Sequence, residues 1–228
     1  MLLTTNTKLK KSLEFGYKTF GIHLAPHTLG GKTVCPNASE GCANACLFHS
    51  GYGMYKKIRD ARIRKTKLFH ADQQAFMRTL IGEVETAIRR TKNNGLIPCF
   101  RLNLTSDIAW EYIKVDGKNI MEMFPDVQFY DYCKSFNRMV KFLKGEMPSN
   151  YHLTFSRSES NEEDCRKVMS MGGNISVVYR NKLKKTRLKK KVISGDDHDL
   201  RFLDPKGVVV GLVAKGPKGK VDKTGFVL

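Results

Sequence analysis

The sequence lacks long apolar runs. No window in its 228 residues approaches the roughly 20 apolar residues that a membrane-spanning helix needs. Residues 1–18 contain no apolar stretch long enough for a signal peptide. Hydrophobic residues still make up 41% of the chain, which is enough for one substantial core. We therefore expect a cytosolic protein that folds as a single domain over residues 1–228 and has no membrane partner.

Acidic residues are scarce relative to basic ones. Asp and Glu number 22 against 40 Lys and Arg, which gives a net charge of +18. A surplus of this size suits nucleic acid, an acidic membrane surface or an anionic substrate. Much of it lies in residues 55–67 and 182–191. A solvated lysine-rich face is the alternative interpretation, because lysine excess alone carries no base-reading information. Nucleic acid is therefore a candidate partner beside a small-molecule substrate.

Cysteines at the paired C-x2-C spacing are missing, and three cysteines crowd into one loop instead. Cys35, Cys42 and Cys46 have the spacing C-x6-C-x3-C. A disulfide would leave one sulfur over, and structural zinc normally takes a fourth ligand at a short, paired spacing. A [4Fe–4S] cube is wider than one ion and is held by thiolates on a loop of this size. We predict such a cluster, with zinc or free thiols as alternatives. If only these three cysteines bind, one iron is open to water or substrate.

The hydrophobic pattern predicts two helices followed by alternating strands and helices. Residues 53–70 and 72–94 have helical periodicity, and several short apolar runs after residue 96 alternate with helical segments. This alternation indicates an α/β fold with a mainly parallel sheet. Because a full eight-fold barrel typically takes about 250 residues, we expect the sheet to curl into a partial or distorted (β/α) barrel, with the cysteine loop at about residues 30–50.

Polar side chains follow nearly every predicted strand. Ligands bind at the carboxyl ends of strands in parallel α/β folds, so these groups are expected to share one rim. Single Ser or Asp residues there are commonly helix caps or turn residues. As a group they are candidates for proton transfer or nucleophilic attack. The candidate catalytic residues are Ser106, Asp107, Tyr130, Lys134 and His198, and the candidate cofactor-binding residues are Arg101, Asn103 and Ser156.

The remaining cysteines and histidines offer few further ligands. Cys99, Cys133 and Cys165 are expected to be buried thiols, since free cysteine is among the most buried residue types. Cys133 lies near the predicted rim and is the best candidate for a fourth cluster ligand. His49 follows Cys46 by three residues and is the nearest non-cysteine candidate, although a structural histidine is the alternative.

Several short motifs occur in a specific order along the chain. They are Cys35-Pro36 through Gly41-Cys42 and Cys46, residues 101–107, residues 129–132, residues 153–156 and residues 195–201. In these motifs the sequence resembles the bacteriophage gene-product-88 proteins, from about residue 17 to the C-terminal Gly-Phe-Val-Leu. The resemblance implies a viral origin, expression in a host bacterial cytoplasm and an iron–sulfur cluster on the three cysteines. The layout is also similar to radical S-adenosylmethionine enzymes, but their C-x3-C-x2-C loop is absent.

Three functions compete on this basis. The first is hydrolysis of a small ester-like or carboxyl substrate, with the open iron as Lewis acid. The second is radical chemistry on S-adenosylmethionine, which the spacing of the cysteine loop disfavours. The third is a basic nucleic-acid-binding protein in which the cluster has no catalytic role. We predict the first.

Overall fold

The computed structural model describes the backbone of all 228 residues and every side chain except that of His49. The strands are β1 (Leu3–Thr4), β2 (Tyr17–Ile22), β3 (Ile97–Arg101), β4 (Lys114–Val115), β5 (Lys118–Asn119), β6 (Gln128–Cys133), β7 (Tyr151–Ser156), β8 (Ile175–Tyr179), β9 (Thr186–Arg187), β10 (Lys190–Ser194) and β11 (Val209–Val213). The α-helices are α1 (Thr7–Lys10), α2 (Glu40–Asn44), α3 (Lys56–Ala71), α4 (Gln73–Lys92), α5 (Ile120–Met123), α6 (Phe136–Leu143), α7 (Glu162–Ser170) and α8 (Gly216–Lys220). Short 3-10 helices span Lys11–Phe15, Leu47–His49, Gly51–Met54, Trp110–Tyr112 and Arg201–Leu203.

Nine strands form one sheet in the order β1-β2-β3-β6-β7-β8-β11-β10-β9. All neighbours from β2 to β10 are parallel, whereas the edge strands β1 and β9 are antiparallel to their neighbours. The strands β4 and β5 form a separate hairpin. The predicted mainly parallel α/β fold is confirmed. In place of the expected partial or distorted barrel the sheet is open, and no closed barrel occurs in the described chain, because the edge strands β1 and β9 do not pair with each other.

Helices α3 and α4 lie where the periodicity predicts them. The Asp72 side chain caps α4 by accepting a hydrogen bond from the Ala75 backbone N–H at 2.9 Å. Phe76, Leu80 and Val84 recur at four-residue intervals on one face of α4, and all are buried. Past the end of the helix, Gly95 has a φ of 68°, the left-handed conformation that glycine adopts without a side-chain penalty.

The core lies between the sheet and its covering helices. Phe100 of β3 stacks on Phe129 of β6 with ring centroids 5.4 Å apart, and both are buried in the same cluster as the apolar face of α4. Trp110 closes this cluster by an edge contact with Phe69 of α3 at 5.7 Å. Alternating residues of the central strands point to opposite faces, so Cys99 and Tyr130 belong to a smaller cluster with Leu200.

The chain before β2 contains structure that the sequence pattern did not indicate. Strand β1 pairs with β2, and the Glu83 carboxylate of α4 accepts hydrogen bonds from the backbone N–H groups of Leu2 and Leu3 at 2.7–2.8 Å. Helix α1 follows directly and brings Lys8 to the interior, where its amine lies 3.1 Å from Asp199. The N-terminal segment thus closes one end of the sheet.

The long crossover from β2 to β3 determines where the cysteines lie. It starts at the carboxyl end of β2 and contains α2, α3 and α4 before the chain returns to the sheet as β3. The cysteine loop therefore begins next to the carboxyl ends of the parallel strands. Among the described helices, none combines the length and apolarity that a membrane span requires.

Candidate functional site

A cavity of about 460 Å³ lies at the carboxyl ends of the parallel strands, within the size range of small-molecule sites. Cys35, Cys42 and Cys46 all contribute to its wall. Strand-end residues complete the polar part of the lining: Arg101, Asn103, Ser106, Asp107, Lys134 and Ser156. The predicted convergence of the cysteine loop with the polar rim is therefore present for these residues.

The cysteine loop is held in place by its own cap and by a carboxylate from the end of β7. Ser39 caps α2 by accepting a hydrogen bond from the Cys42 N–H at 3.3 Å. Glu159 accepts from the Ser39 hydroxyl at 2.8 Å and from the Gly41 N–H at 2.7 Å. A Cβ at Gly41 would lie 2.4 Å from the Cβ of Phe226, so only glycine permits this close approach. These contacts fix Cys42 against the strand ends.

The three thiols are half-buried and share one electrostatic environment. Burial raises the pKa of Cys35 to about 11, and the neighbouring Cys46 and Cys42 add to the rise. Burial likewise raises the pKa of Cys46 above its usual value. The Cys46 Sγ accepts a hydrogen bond from the Phe48 backbone N–H at 3.5 Å. A cationic centre in the cavity would stabilise these donors as thiolates.

The spacing of these donors bears on which inorganic group fits. Among the described side chains, no three His, Cys, Asp or Glu residues come together as a site for a single metal ion. Thiolates are ligands of both zinc and iron–sulfur clusters. The three cysteines supply three such ligands on the wall of one cavity.

Lys134 connects the cysteine loop with the polar rim. Its amine donates to the Ser156 Oγ at 3.2 Å, and both Lys134 and Cys42 line the cavity. Burial alone lowers the pKa of Lys134, but the negative charge of Cys42 and Asp107 outweighs burial and raises it above the usual value. Lys134 is therefore a cation at neutral pH, which suits a hydrogen-bond donor and excludes a neutral amine base.

Asp107 faces the cavity from the loop after β3. Its carboxylate accepts from the Asn37 amide of the cysteine loop at 3.1 Å and lies 3.3 Å from the Arg138 guanidinium. Burial raises the pKa of Asp107, although the positive charges of Lys134 and Arg138 oppose the rise. A carboxyl group with a raised pKa beside a cavity suits proton transfer.

Ser106 and Asn103 also face the cavity, but their polar atoms have partners within the protein. The Ser106 hydroxyl donates to the Asn103 Oδ1 at 2.7 Å. The same oxygen accepts from the Ile108 N–H and the Trp110 indole N–H at 3.0 Å each. The Asn103 amide nitrogen donates to Ile108 and to Asp131. Asn103 therefore shapes the β3 loop, and Ser106 has no adjacent base among the described residues.

Tyr130 and His198 are not brought into the cavity. Tyr130 is fully buried beneath the sheet and donates its hydroxyl to Asp199 at 3.2 Å. The His198 ring packs at a tilt against Phe15, with ring centroids 4.8 Å apart, and its Nδ1 accepts from the Leu200 N–H at 3.2 Å. Neither residue lines the cavity. Neither reaches the predicted rim, because Tyr130 lies in the middle of β6, before Tyr132 and Lys134 at its carboxyl end, and His198 lies in a turn beyond β10.

Arg101 lines the cavity and also contacts Asp199, the buried partner of Tyr130. Its guanidinium pairs with Asp199 at 3.0 Å and stacks over the Tyr132 ring at 4.5 Å. Burial alone would raise the pKa of Asp199, but Arg101, Lys8 and Arg201 hold it well below the usual value. Arg101 is thus a wall residue anchored from behind by a buried carboxylate.

Comparison with known proteins agrees with the motif pattern. The family model for gene product 88 (GP88) matches residues 1–228. The chain belongs to the gene product 88 family. No curated protein and no solved structure matches the chain.

Two other residues of this gene product 88 protein were candidates for a fourth cluster ligand. Cys133 lines the cavity, and burial raises its pKa to about 12. Its Sγ donates to the Ser135 carbonyl at 3.9 Å. Cys99 and Cys165 are buried, as predicted. The His49 side chain lies outside the described residues.

Sequence reasoning missed three residues of the gene product 88 site. Glu159 has no role in the sequence-based prediction, and its contact with the cysteine loop joins residues far apart in the chain. Arg62 and His23 also line the cavity, and in the sequence Arg62 is one member of the basic run at residues 55–67. For Arg62 a signal existed, because Arg62, Thr66 and Phe69 are spaced four and three apart and form the buried face of α3.

Proposed function

We propose that this gene product 88 protein is an iron–sulfur hydrolase. In the proposal Cys35, Cys42 and Cys46 hold a [4Fe–4S] cluster with one open iron, and the substrate is a small ester-like or carboxyl compound. The observation that carries it is the convergence of the three cysteines with Asp107 and Lys134 on one cavity. A host bacterial cytoplasm would keep the thiols reduced.

The cluster, when bound, would supply a Lewis acid that polarises a carbonyl oxygen or a water molecule. Lys134 would supply positive charge next to the reacting group, since its amine is protonated and is held by the Ser156 hydroxyl. A fixed cation in a water-poor cavity stabilises developing negative charge more strongly than one in bulk water. Lys134 is therefore assigned to electrostatic stabilisation.

Asp107 is the best-placed group for proton transfer. Burial raises the pKa of its carboxyl group towards neutral pH, relative to that of an exposed carboxyl group. Arg138 and Asn37 fix its orientation. Ser156 accepts from Lys134 and so orients the amine. Ser106, lacking a base partner, is assigned to the shape of the cavity wall. Tyr130 and His198 take no part in the proposed chemistry, because neither reaches the cavity.

The direct test is anaerobic purification followed by iron and sulfide analysis, electron paramagnetic resonance and an ester-hydrolysis assay. We expect about four iron atoms per chain, as a [4Fe–4S] cube requires, and turnover without added S-adenosylmethionine. Cys42→Ala should lose both iron and turnover, whereas Cys165→Ala, which removes a buried thiol outside the cavity, should keep both. A colourless protein with bound zinc would contradict the proposal. Cleavage of S-adenosylmethionine after dithionite reduction would favour the radical alternative.

A second candidate function rests on the charge of the surface. Lys57, Arg64 and Lys67 of α3 are exposed, and so are the lysines around the β9–β10 hairpin. Such groups suit contacts with phosphates. Binding to duplex DNA or RNA that weakens steeply with salt, together with no hydrolysis of any ester, would favour a nucleic-acid-binding protein over the hydrolase.

A further inference from the structure

Arg62 is a buried cation on the wall of the cavity. It lies on the inward face of α3 and is only 7% exposed. Its guanidinium lies 5.6 Å from the centre of the Phe48 ring and lines the same cavity as the three cysteines. The side chain is thus almost fully enclosed within the wall of the cavity.

No described residue pairs with this guanidinium. No carboxylate among the described side chains forms an ion pair with Arg62, and its Nε and Nη1 are buried without a hydrogen-bond partner. The other buried arginines of the chain, Arg138, Arg157 and Arg201, each form an ion pair with a carboxylate. A buried charge without a partner is costly, so an arrangement of this kind is stable when a ligand provides the counter-charge.

Two further polar groups surround the same part of the cavity. His23, at the end of β2, also lines the cavity, and its Nδ1 is buried without a partner. Burial lowers the pKa of His23 to about 3, with Arg62 and Arg101 adding to the effect. His23 is therefore neutral, and Arg62 and Arg101 are the charges that face it. The local field is positive and favours an anion.

The rest of the cavity wall indicates what the anion is attached to. Apolar side chains form most of the lining of the cavity, among them Leu47, Tyr52, Val178, Leu212 and Phe226. A fully solvated inorganic ion gains nothing from such a wall, whereas a hydrocarbon body gains free energy by leaving water. The guanidinium itself matches a planar carboxylate with two parallel hydrogen bonds.

From this geometry we propose that Arg62 and His23 form a carboxylate-binding subsite, and that the ligand is a small carboxylate with an apolar body. The inference deepens the proposed hydrolase, since it gives the class of substrate for that site, and only its relation to turnover rests on the hydrolase proposal. Arg62 acts as a binding and positioning residue in it.

Benzoate is a suitable probe, because it joins one carboxylate to one apolar ring. Its affinity for the iron-loaded protein is measured by isothermal titration calorimetry, with benzamide as the neutral probe of the same shape. We expect benzoate to bind more tightly than benzamide. Arg62→Met should weaken benzoate at least about tenfold, since a hydrogen bond to a charged group contributes more than 1.4 kcal/mol. The same change should leave benzamide unaffected.

Arg64→Met is the matched control, since Arg64 is an exposed arginine two positions along the same helix. It should leave benzoate binding unchanged. Arg62→Lys keeps the charge but loses the planar fork, so an intermediate affinity is expected. Equal loss of benzoate in both methionine variants would attribute binding to general surface charge and overturn the subsite. Inorganic phosphate that binds as tightly as benzoate would overturn the role of the apolar wall.

The two proposals fail in different ways. Benzoate binding that depends on Arg62, in a protein that hydrolyses no ester, supports the subsite and contradicts the hydrolase. Ester turnover that benzoate does not inhibit and Arg62→Met does not reduce supports the hydrolase and overturns the subsite. If Arg62→Met folds normally but loses its iron while Arg62→Lys retains it, the counter-ion of Arg62 is the cluster, and the subsite proposal is wrong.

Discussion

Two neighbouring regions differ in how their polar groups are hydrogen bonded. One is the cavity lined by the three cysteines, and the other is the acidic network around Asp131 and Arg138. In the network, the Asp131 carboxylate accepts from the Asn103 N–H at 2.7 Å and the Tyr151 hydroxyl at 3.0 Å. Arg138 makes two hydrogen bonds to Glu111 at 2.7 and 2.9 Å. In the cavity, by contrast, Arg62 and His23 have buried nitrogen atoms without partners.

This difference separates structural from ligand-binding groups. Buried polar groups that are fully hydrogen bonded specify a single packing arrangement, and the network uses them to fix the loop after β3. Buried groups without partners cost free energy in the empty protein. The cavity concentrates such groups beside three thiols, which is the arrangement expected of a site that acquires its partners from outside.

The strongest test of the network is to remove its central cation. Arg138→Met would leave Glu111 buried without its ion-pair partner and would remove one of the two cations beside Asp107. We expect the free energy of unfolding to fall by about 4 kcal/mol, within the range for breaking a buried ion pair. Urea denaturation followed by circular dichroism measures the change. Lys141→Met is the control, since Lys141 lies on the same helix and contacts only the exposed Tyr112 hydroxyl.

A fall below 1 kcal/mol in Arg138→Met would contradict the comparison. It would mean that the network, like the cavity, tolerates unpaired charge, since surface ion pairs contribute only about 0–1 kcal/mol.

Asp199 offers a second test through pH. Its carboxylate is fully buried against Lys8 at 3.1 Å and Arg101 at 3.0 Å, and its pKa is held well below the ordinary value. A carboxylate with a depressed folded-state pKa stabilises the fold above its unfolded pKa of about 3.9 and loses that stabilisation as the pH falls further. Asp199→Asn should remove this acid-side dependence.

At pH 7 the same change should cost about 3 kcal/mol, the lower end of the range for a broken buried pair, because Lys8 and Arg101 keep some access to solvent. Thermal unfolding at a series of pH values measures both effects. If the wild-type protein and Asp199→Asn lose stability in parallel on acidification, Asp199 is not the group responsible.

Much of the fold follows from sequence pattern. The alternation of apolar runs with helical periods predicts each inner strand of the sheet to within a few residues, because these strands are buried and rich in β-branched and aromatic residues. The edge strands and β4–β5 could not be predicted in this way, because a strand of two residues is too short to show an alternation of apolar and polar residues. Sheet closure was likewise beyond it, since that depends on pairing between the first and last strands.

The site divides in the same way. The cysteine loop and the strand-end residues Asp107, Lys134 and Ser156 were predictable, because parallel strands bring their carboxyl ends to one edge. Tyr130 was placed at the rim although it lies in the middle of β6, and only residues at the carboxyl end of that strand, such as Tyr132, reach the cavity. The pairing of Glu159 with Gly41 joins residues far apart in sequence, and no local pattern specifies such a contact.

A smaller effect is expected at Glu159, where the cavity is built by ordinary hydrogen bonds. Glu159→Gln keeps the shape but removes the charge and replaces one of the two oxygens that accept from Ser39 and Gly41 with an amide nitrogen, which cannot accept. We expect a loss of about 1 kcal/mol in stability, the usual contribution of a hydrogen bond, and faster loss of iron to a chelator. Glu163→Gln, on the exposed face of α7, is the control. Equal rates of iron loss in both variants would show that Glu159 does not secure the loop.

The smallest effect is expected at Cys133, and it sharpens the claim of an open iron. Cys133 lines the cavity but is buried, and its thiol donates to the Ser135 carbonyl. If it is a packing residue, Cys133→Ala should keep its full iron content and lose only about 1 kcal/mol of stability, in keeping with the removal of one small buried group. Cys46→Ala, prepared in parallel, should lose its iron. Loss of iron from both variants would instead make Cys133 a fourth ligand. Every iron would then be held by protein, and the Lewis-acid proposal would lose its coordination site.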